Sequence, residues 1–184
     1  RIAQQLYEGV EIKGQGLVGL ISYLRTDSTR ISEEADKAAR EYIDKAYGSK
    51  YLAESQEAKN RGKKIQDAHE AIRPAYTDFS PVIVKESLSR DQFRLYSLIW
   101  KRFIASRMKP AIYDMKSKKI AAGKYIFTAS ASKLKFDGFM SVYVEADFEK
   151  EEDSISAGID EKTELKFDKF DAIQHFTQPP AHFS

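Results

Sequence analysis

The apolar period of the chain changes once, near Pro110. Before that proline apolar residues recur at three and four, as on one face of a helix; after it they alternate, as in a half-buried strand. Ile2 and Leu6, four apart and followed by Gly9, predict a short helix with a glycine stop. Residues 11–19 hold three glycines and read as a loop. Ser32 before Glu33 and Glu34 is a hydroxyl cap followed by acids at the positive end of a helix dipole. Ala35, Ala38, Ala39, Tyr42, Ile43 and Ala46 then form one stripe, predicting a helix that stops at Gly48. The polar residues 49–68 read as an exposed loop. Ser89 with Gln92 matches a capping box and opens a predicted helix over 90–108, its apolar face made by Phe93, Tyr96, Trp100, Phe103 and Ile104 and its end set by Pro110.

Beyond Pro110, Tyr113 to Ala122 and Tyr125 to Ala131 alternate and predict paired strands turning at Gly123-Lys124. Phe136 to Glu145 predicts a further strand or two, Phe148 to Glu161 an acidic loop, and the strictly alternating Leu165 to Ile173 another half-buried strand. The fold class expected is α+β: a helical domain over residues 1–110 followed by an antiparallel β unit over residues 111–184.

Composition narrows the function. The chain has 184 residues, 42% hydrophobic and 32% charged, which is globular rather than disordered. No apolar run approaches the roughly 20 residues that cross a bilayer, so no membrane partner is expected. With no cysteine, a disulfide scaffold, a zinc ribbon and a thiol nucleophile all fall away, in keeping with a cytoplasmic location. The first residue is Arg1, not methionine, and the chain is expected to be a piece of something longer. The net charge of +2 conceals a strong division. Residues 76–143 hold 13 Lys and Arg against 5 Asp and Glu, whereas residues 144–184 hold 4 against 11. A basic band of that size attracts a polyanion even when the whole chain is nearly neutral.

Candidate chemistry sits in two clusters. Tyr23, Arg25, Thr26, Asp27 and Ser28 bring a phenol, a guanidinium, hydroxyls and a carboxylate within six positions. A phenol near pKa 10 attacks phosphorus only where its anion is favoured, and an arginine both stabilises that anion and forks onto phosphate oxygens. In an extended segment Tyr23 and Arg25 share a face, Asp27 could orient Arg25, and Thr26 or Ser28 could cap the next helix. In the second cluster His69 and Arg73 are four apart, which a helical turn would stack on one face to hold a phosphodiester or move a proton. Arg73 stands where a zinc protease needs its second histidine, and His175 and His182 have no acids at ligand spacing, so no metal site is read. Gly14, Gly16 and Gly19 approach a dinucleotide fingerprint but follow no predicted strand. A serine elbow and a Walker sequence are missing.

The segment from Gly19 to Ser28 closely resembles the active-site signature of the bacterial type IA DNA topoisomerases. Ala68 to Pro74, Leu95 to Phe103 and Gln174 to Ser184 resemble three further signatures of that family, in the same order, so that the resemblance runs from about Ile2 to Ser184. It departs from the family at Ser22, usually threonine, and at Leu24, often methionine or proline; neither touches the chemistry.

The resemblance implies that Tyr23 cuts one DNA strand and becomes joined to its 5′ phosphate, that Arg25 stabilises the transition state, and that His69, Arg73, Thr26, Asp27 and Ser28 meet the DNA. It implies a winged-helix-like helical domain joined to part of the β-rich arch of a toroidal enzyme. The partners implied are single-stranded and negatively supercoiled DNA, acted on without ATP by a monomeric enzyme in the bacterial cytoplasm, at the nucleoid. The family's Toprim domain binds magnesium through an acidic cluster. Nothing in this chain resembles it, so the Mg2+ site is expected outside these residues and the chain alone is expected to be inactive. The competing expectation is a non-catalytic, winged-helix-like DNA-binding module in which Tyr23 is a packed phenol.

Overall fold

The computed structural model describes residues 1–54, 69–144, 164, 166, 168, 169 and 171–177. Helix α1 (Ile2–Glu8) ends at Gly9 and leads into a small antiparallel hairpin, β1 (Val10–Ile12) with β2 (Gly16–Val18). That hairpin corrects the loop expected over residues 11–19. Val10 and Ile12 alternate inward with Glu11 outward, but three residues are too few to stand out from a glycine-rich background. The three glycines do not form a dinucleotide fingerprint, because β2 runs on into extended chain and not into a helix.

Helix α2 (Glu33–Tyr47) begins where the sequence places it, with the Ser32 Oγ accepting the Ala35 N–H at 3.3 Å and Ala35, Ala39 and Ile43 buried. A short helix α3 (Pro81–Val84) precedes α4 (Arg90–Ala105), whose capping box is complete: the Gln92 N–H reaches Ser89 Oγ at 3.4 Å and the Ser89 N–H reaches Gln92 Oε1 at 2.9 Å. Helix α4 stops three residues before the expected 108. The Ala53 N–H donates to the Arg107 carbonyl at 3.1 Å and the Lys109 N–H to the Tyr51 carbonyl at 2.8 Å. These long-range bonds take residues 107–109 out of the helix and pair Met108 with Leu52.

Leu6, Ile12, Leu20, Ile43, Val84, Tyr96, Trp100 and Ile104 form a common core under α1, α2 and α4. Each such side chain contributes about 1.5–3 kcal/mol by leaving water. Two aromatics of α4 also hold the segment that follows Pro74. The Tyr96 hydroxyl donates to the Phe79 carbonyl at 2.6 Å and the Trp100 indole N–H to the Thr77 carbonyl at 3.2 Å.

Strands β3 (Ile112–Ala122) and β4 (Tyr125–Phe136) form one long hairpin, in register from Tyr113 opposite Leu134 to Ala122 opposite Tyr125. Most of its residues are exposed. Its base is tied to the helices: the Tyr51 hydroxyl donates to Asp137 Oδ1 at 2.8 Å, the Phe139 N–H donates to the Lys109 carbonyl at 2.9 Å, and Phe139 packs on the core.

Two expectations after β4 change. Residues 138–141 form a 3₁₀ turn, not a strand, because docking onto Lys109 and Pro110 needs a sharp reversal at Gly138. In the alternating stretch 165–173, the described residues have no strand partner and are exposed, since alternation makes a strand only where a sheet edge receives it. The acidic loop of residues 148–161 lies outside the described residues, as does most of the polar loop of 49–68; Ser49–Tyr51 of that loop form a 3₁₀ turn. The architecture is α+β, with helices, a small hairpin and a long hairpin.

Candidate active site

The residues of the first cluster lie on extended chain between β2 and α2, and two fixed points hold that chain. Upstream, the Leu20 N–H donates to the Leu6 carbonyl at 2.7 Å. The neighbouring Gly19 passes so close to α1 that a β-carbon there would sit 2.7 Å from the Tyr7 carbonyl oxygen, so no other residue fits without movement. Downstream, Ile21 forms a bridge with Pro74, and Ser22 clamps residues 71–73. The Ser22 hydroxyl donates to the Ala71 carbonyl at 2.8 Å and accepts the Arg73 N–H at 2.9 Å, while the Ser22 N–H donates to the Arg73 carbonyl at 2.8 Å. Ser22 is thus the joint between the two clusters.

Tyr23 follows that joint and projects outward, 53% exposed. Two rings define its position. Tyr7 meets it edge-on with centroids 5.4 Å apart, and His69 stacks against it at 5.9 Å with the planes 29° apart. Asp27 links the remaining members. Its Oδ2 lies 3.4 Å from His69 Nδ1 and 3.9 Å from an Arg25 terminal nitrogen. Arg25, Asp27, His69 and Tyr23 therefore form a connected row on the surface, with Arg25 and Asp27 more than half exposed. Thr26 is exposed beside them. Ser28 turns inward, its hydroxyl accepting the Arg30 N–H at 3.2 Å. Neither Thr26 nor Ser28 caps α2; that cap is Ser32.

The second cluster corrects its expectation. Residues 69–74 are not helical, so His69 and Arg73 do not stack on one face. The backbone bonds to Ser22 and Arg30 hold this stretch extended, and extended chain separates side chains that a helical turn would bring together. His69 goes to Tyr23 and Asp27. Arg73 goes elsewhere: its guanidinium binds Glu70 Oε2 at 2.8 Å through two nitrogens, donates to the Pro74 carbonyl at 2.9 Å and reaches Ser32 Oγ at 3.5 Å. It also borders an open cleft of about 810 Å3, lined in part by Glu34, Tyr42, Tyr76, Asp78 and Ser80, to which Tyr23 and His69 do not contribute.

Sequence reasoning did not single out Tyr7, Glu70 or the clamping role of Ser22. Glu70 stands next to His69 and three before Arg73, a spacing that could have suggested its ion pair. Tyr7 carries no such signal, because only the turn of the small hairpin brings α1 back against residues 19–23.

Chemically, the row offers an exposed phenol, an imidazole stacked on it, and a carboxylate that faces both that imidazole and a cation at the far end of the row. Among the described residues no three His, Cys, Asp or Glu side chains gather where they could hold a metal ion. The carboxylate in the row, Asp27, is shared by Arg25 and His69. Among the described residues no helix is long and apolar enough to cross a membrane.

A family model for DNA topoisomerase matches residues 1–184. A solved structure of full-length topoisomerase I from Thermotoga maritima, in a monoclinic crystal form, is 42% identical over 77% of this chain, with a TM-score of 0.65. The chain spans 22% of that protein.

Proposed function

We propose, for a chain that belongs to the bacterial type IA DNA topoisomerase family, that it supplies the tyrosine-bearing part of a DNA strand gate. The observation that carries the reading is the row Tyr23, His69, Asp27 and Arg25 on the chain between β2 and α2. In the proposed reaction the Tyr23 oxygen forms a bond to phosphorus as the bond from phosphorus to the strand's 3′ oxygen breaks. The phenolic proton leaves, the departing 3′ oxygen gains one, and the 5′ phosphate stays on Tyr23. Reversal rejoins the strand, so one phosphodiester is exchanged for another and no ATP is needed. Negative charge builds on the non-bridging oxygens, where a positioned guanidinium acts most strongly. Arg25 takes that role.

Asp27 keeps Arg25 turned toward the row, and His69 supports the Tyr23 ring and meets the DNA backbone together with Thr26. Arg73 and Ser28 act by holding the backbone on which these side chains stand. The remaining DNA contacts, the Mg2+ site and the winged-helix and arch assignments concern a longer, monomeric, cytoplasmic protein in which residues 1–110 and 111–184 are separate domains. Passage of single-stranded DNA through that gate relaxes negative supercoils.

The discriminating experiment is Tyr23→Phe in the full-length protein. The expected result is loss of covalent DNA adducts and of relaxation with DNA affinity retained. Undiminished adduct formation would reject the nucleophile and leave a DNA-binding module.

A further inference from the structure

The long hairpin carries a second feature that the chemistry of Tyr23 does not use. From Ile112 to Phe136 it holds six lysines and a single acid, Asp114. The register sorts them by face, because residues directly opposite each other, and those two apart, share a side. One face presents Lys116, Lys118 and Lys133, with Ala129 and Ala131 opposite the first two; toward the turn the same face presents Ile120, Phe127 and Tyr125. Asp114 is on this face as well, 3.8 Å from Lys135, a contact that brings Lys135 to the same side. The other face is different. It carries a single lysine, Lys119, among Ser117, Ser130, Ser132 and Thr128, with Tyr113, Met115 and Leu134 toward the base and Ile126 toward the turn, and the Ser130 hydroxyl reaches Ser117 Oγ at 3.4 Å.

Lys116 and Lys133 are exposed, as are Tyr125 (61%) and Phe127 (45%). Lysines two apart on one strand stand roughly 7 Å from each other. Rows of cations beside aromatic rings suit a ligand that is both a polyanion and a series of flat apolar rings. A bare polyanion would use the lysines but not the rings, and an apolar protein surface would use the rings but leave the lysines buried without partners. Single-stranded nucleic acid uses both, its phosphates on the cations and its bases on the aromatics.

We propose that the Lys116–Lys118–Lys133 face of the β3–β4 hairpin, with Tyr125 and Phe127 at its end, is a contact surface for single-stranded nucleic acid. It shares no residue with the Tyr23 row and holds whether or not Tyr23 attacks DNA.

The test uses the 184-residue chain and a fluorescent oligothymidylate, with affinity measured by anisotropy at several salt concentrations. In the triple variant Lys116→Gln, Lys118→Gln and Lys133→Gln, the slope of log affinity against log salt falls by about 2, from about 0.7 per single-strand phosphate contact. A control of equal charge change on the helical part, Lys85→Gln, Arg94→Gln and Lys101→Gln, leaves the slope in place. Tyr125→Ala weakens binding about tenfold at constant slope, the scale of one lost base stack. Affinity is read on an intact strand with no cleavage step, which separates this surface from the proposed chemistry of Tyr23. All variants keep the parent's circular dichroism and thermal midpoint. Equal losses in the lysine variant and its control, or equal affinity for an abasic strand of the same length, would overturn the assignment.

Discussion

At the scale of single residues, Arg25 gives the sharpest test of the proposed chemistry. Its guanidinium is 3.9 Å from Asp27, a carboxylate that also faces His69. Arg25→Lys keeps the charge but loses the planar fork. If Arg25 shares charge in the transition state, adduct formation in the full-length protein falls by about 10²–10³ while DNA affinity changes little. Matched small losses in both would make it a docking residue. Tyr96 tests the core by a different route. Burial pushes its phenol well above the ordinary range, and its hydroxyl donates to the Phe79 carbonyl. A raised folded-state pKa means that the unfolded chain gives up its proton first. The stabilisation is therefore complete below about pH 10, the unfolded value, and is lost as pH climbs beyond it. Denaturant titrations through the alkaline range should show stability declining above about pH 10. In Tyr96→Phe that decline is shallower, with about 1 kcal/mol lost at neutral pH from the missing hydrogen bond. Burial also raises Tyr42 and Tyr47, so some alkaline slope remains in the variant. An unchanged slope would mean that Tyr96 ionises without unfolding.

At the scale of elements, the two joints matter most. Gly138 has a φ of +49°, and a β-carbon there would lie 2.6 Å from the Pro110 carbonyl oxygen. Gly138→Ala combines a rarely populated backbone conformation with a clash against main chain, and is expected to cost about 1–3 kcal/mol. The loss should show as a lower thermal midpoint, with the tie between the Tyr51 hydroxyl and Asp137 loosened and the long hairpin's amides exchanging faster than those of α2 and α4. Uniform acceleration throughout would mean that the two parts unfold together. The second joint is the capping box of α4. Ser89→Ala removes the acceptor for the Gln92 N–H and should lower stability by about 1 kcal/mol in denaturant unfolding. The capping box is local in sequence and has a distant effect, because α4 anchors the stretch around Thr77 and Phe79 through Trp100 and Tyr96, whereas Gly138 meets Lys109 and Pro110 from far along the chain.

For the whole molecule, the chain alone is expected neither to relax a negatively supercoiled plasmid nor to form covalent adducts when magnesium is supplied, since the acidic magnesium site that the resemblance implies is expected outside these residues. Relaxation by the pure chain would refute this. Much of the architecture was legible without coordinates. Helices α2 and α4 announce themselves through Ser32, Ser89 and long apolar stripes, and the β3–β4 hairpin through alternation around Gly123-Lys124. Long periodic segments with caps carry a local signal that names the element, although packing of the apolar face supplies most of its stability. The small hairpin, the early stop of α4 and the turn at Gly138 were not legible, because each is decided by a partner far along the chain. The Tyr23 cluster shows the same division. Its residue types, Tyr23, Arg25 and Asp27, are adjacent in sequence and readable as phosphate chemistry. Which outside groups meet them was settled by folding: Ser22 draws the 71–73 backbone alongside, His69 lands on Tyr23, and Arg73 turns away to Glu70. The sequence by itself determined the kinds of side chain and the segments able to stand as helix or strand, since those follow from local propensity and period. The tertiary structure alone decided which segments meet, because hydrogen bonds such as those of Ser22 join residues about fifty positions apart and no local pattern encodes them.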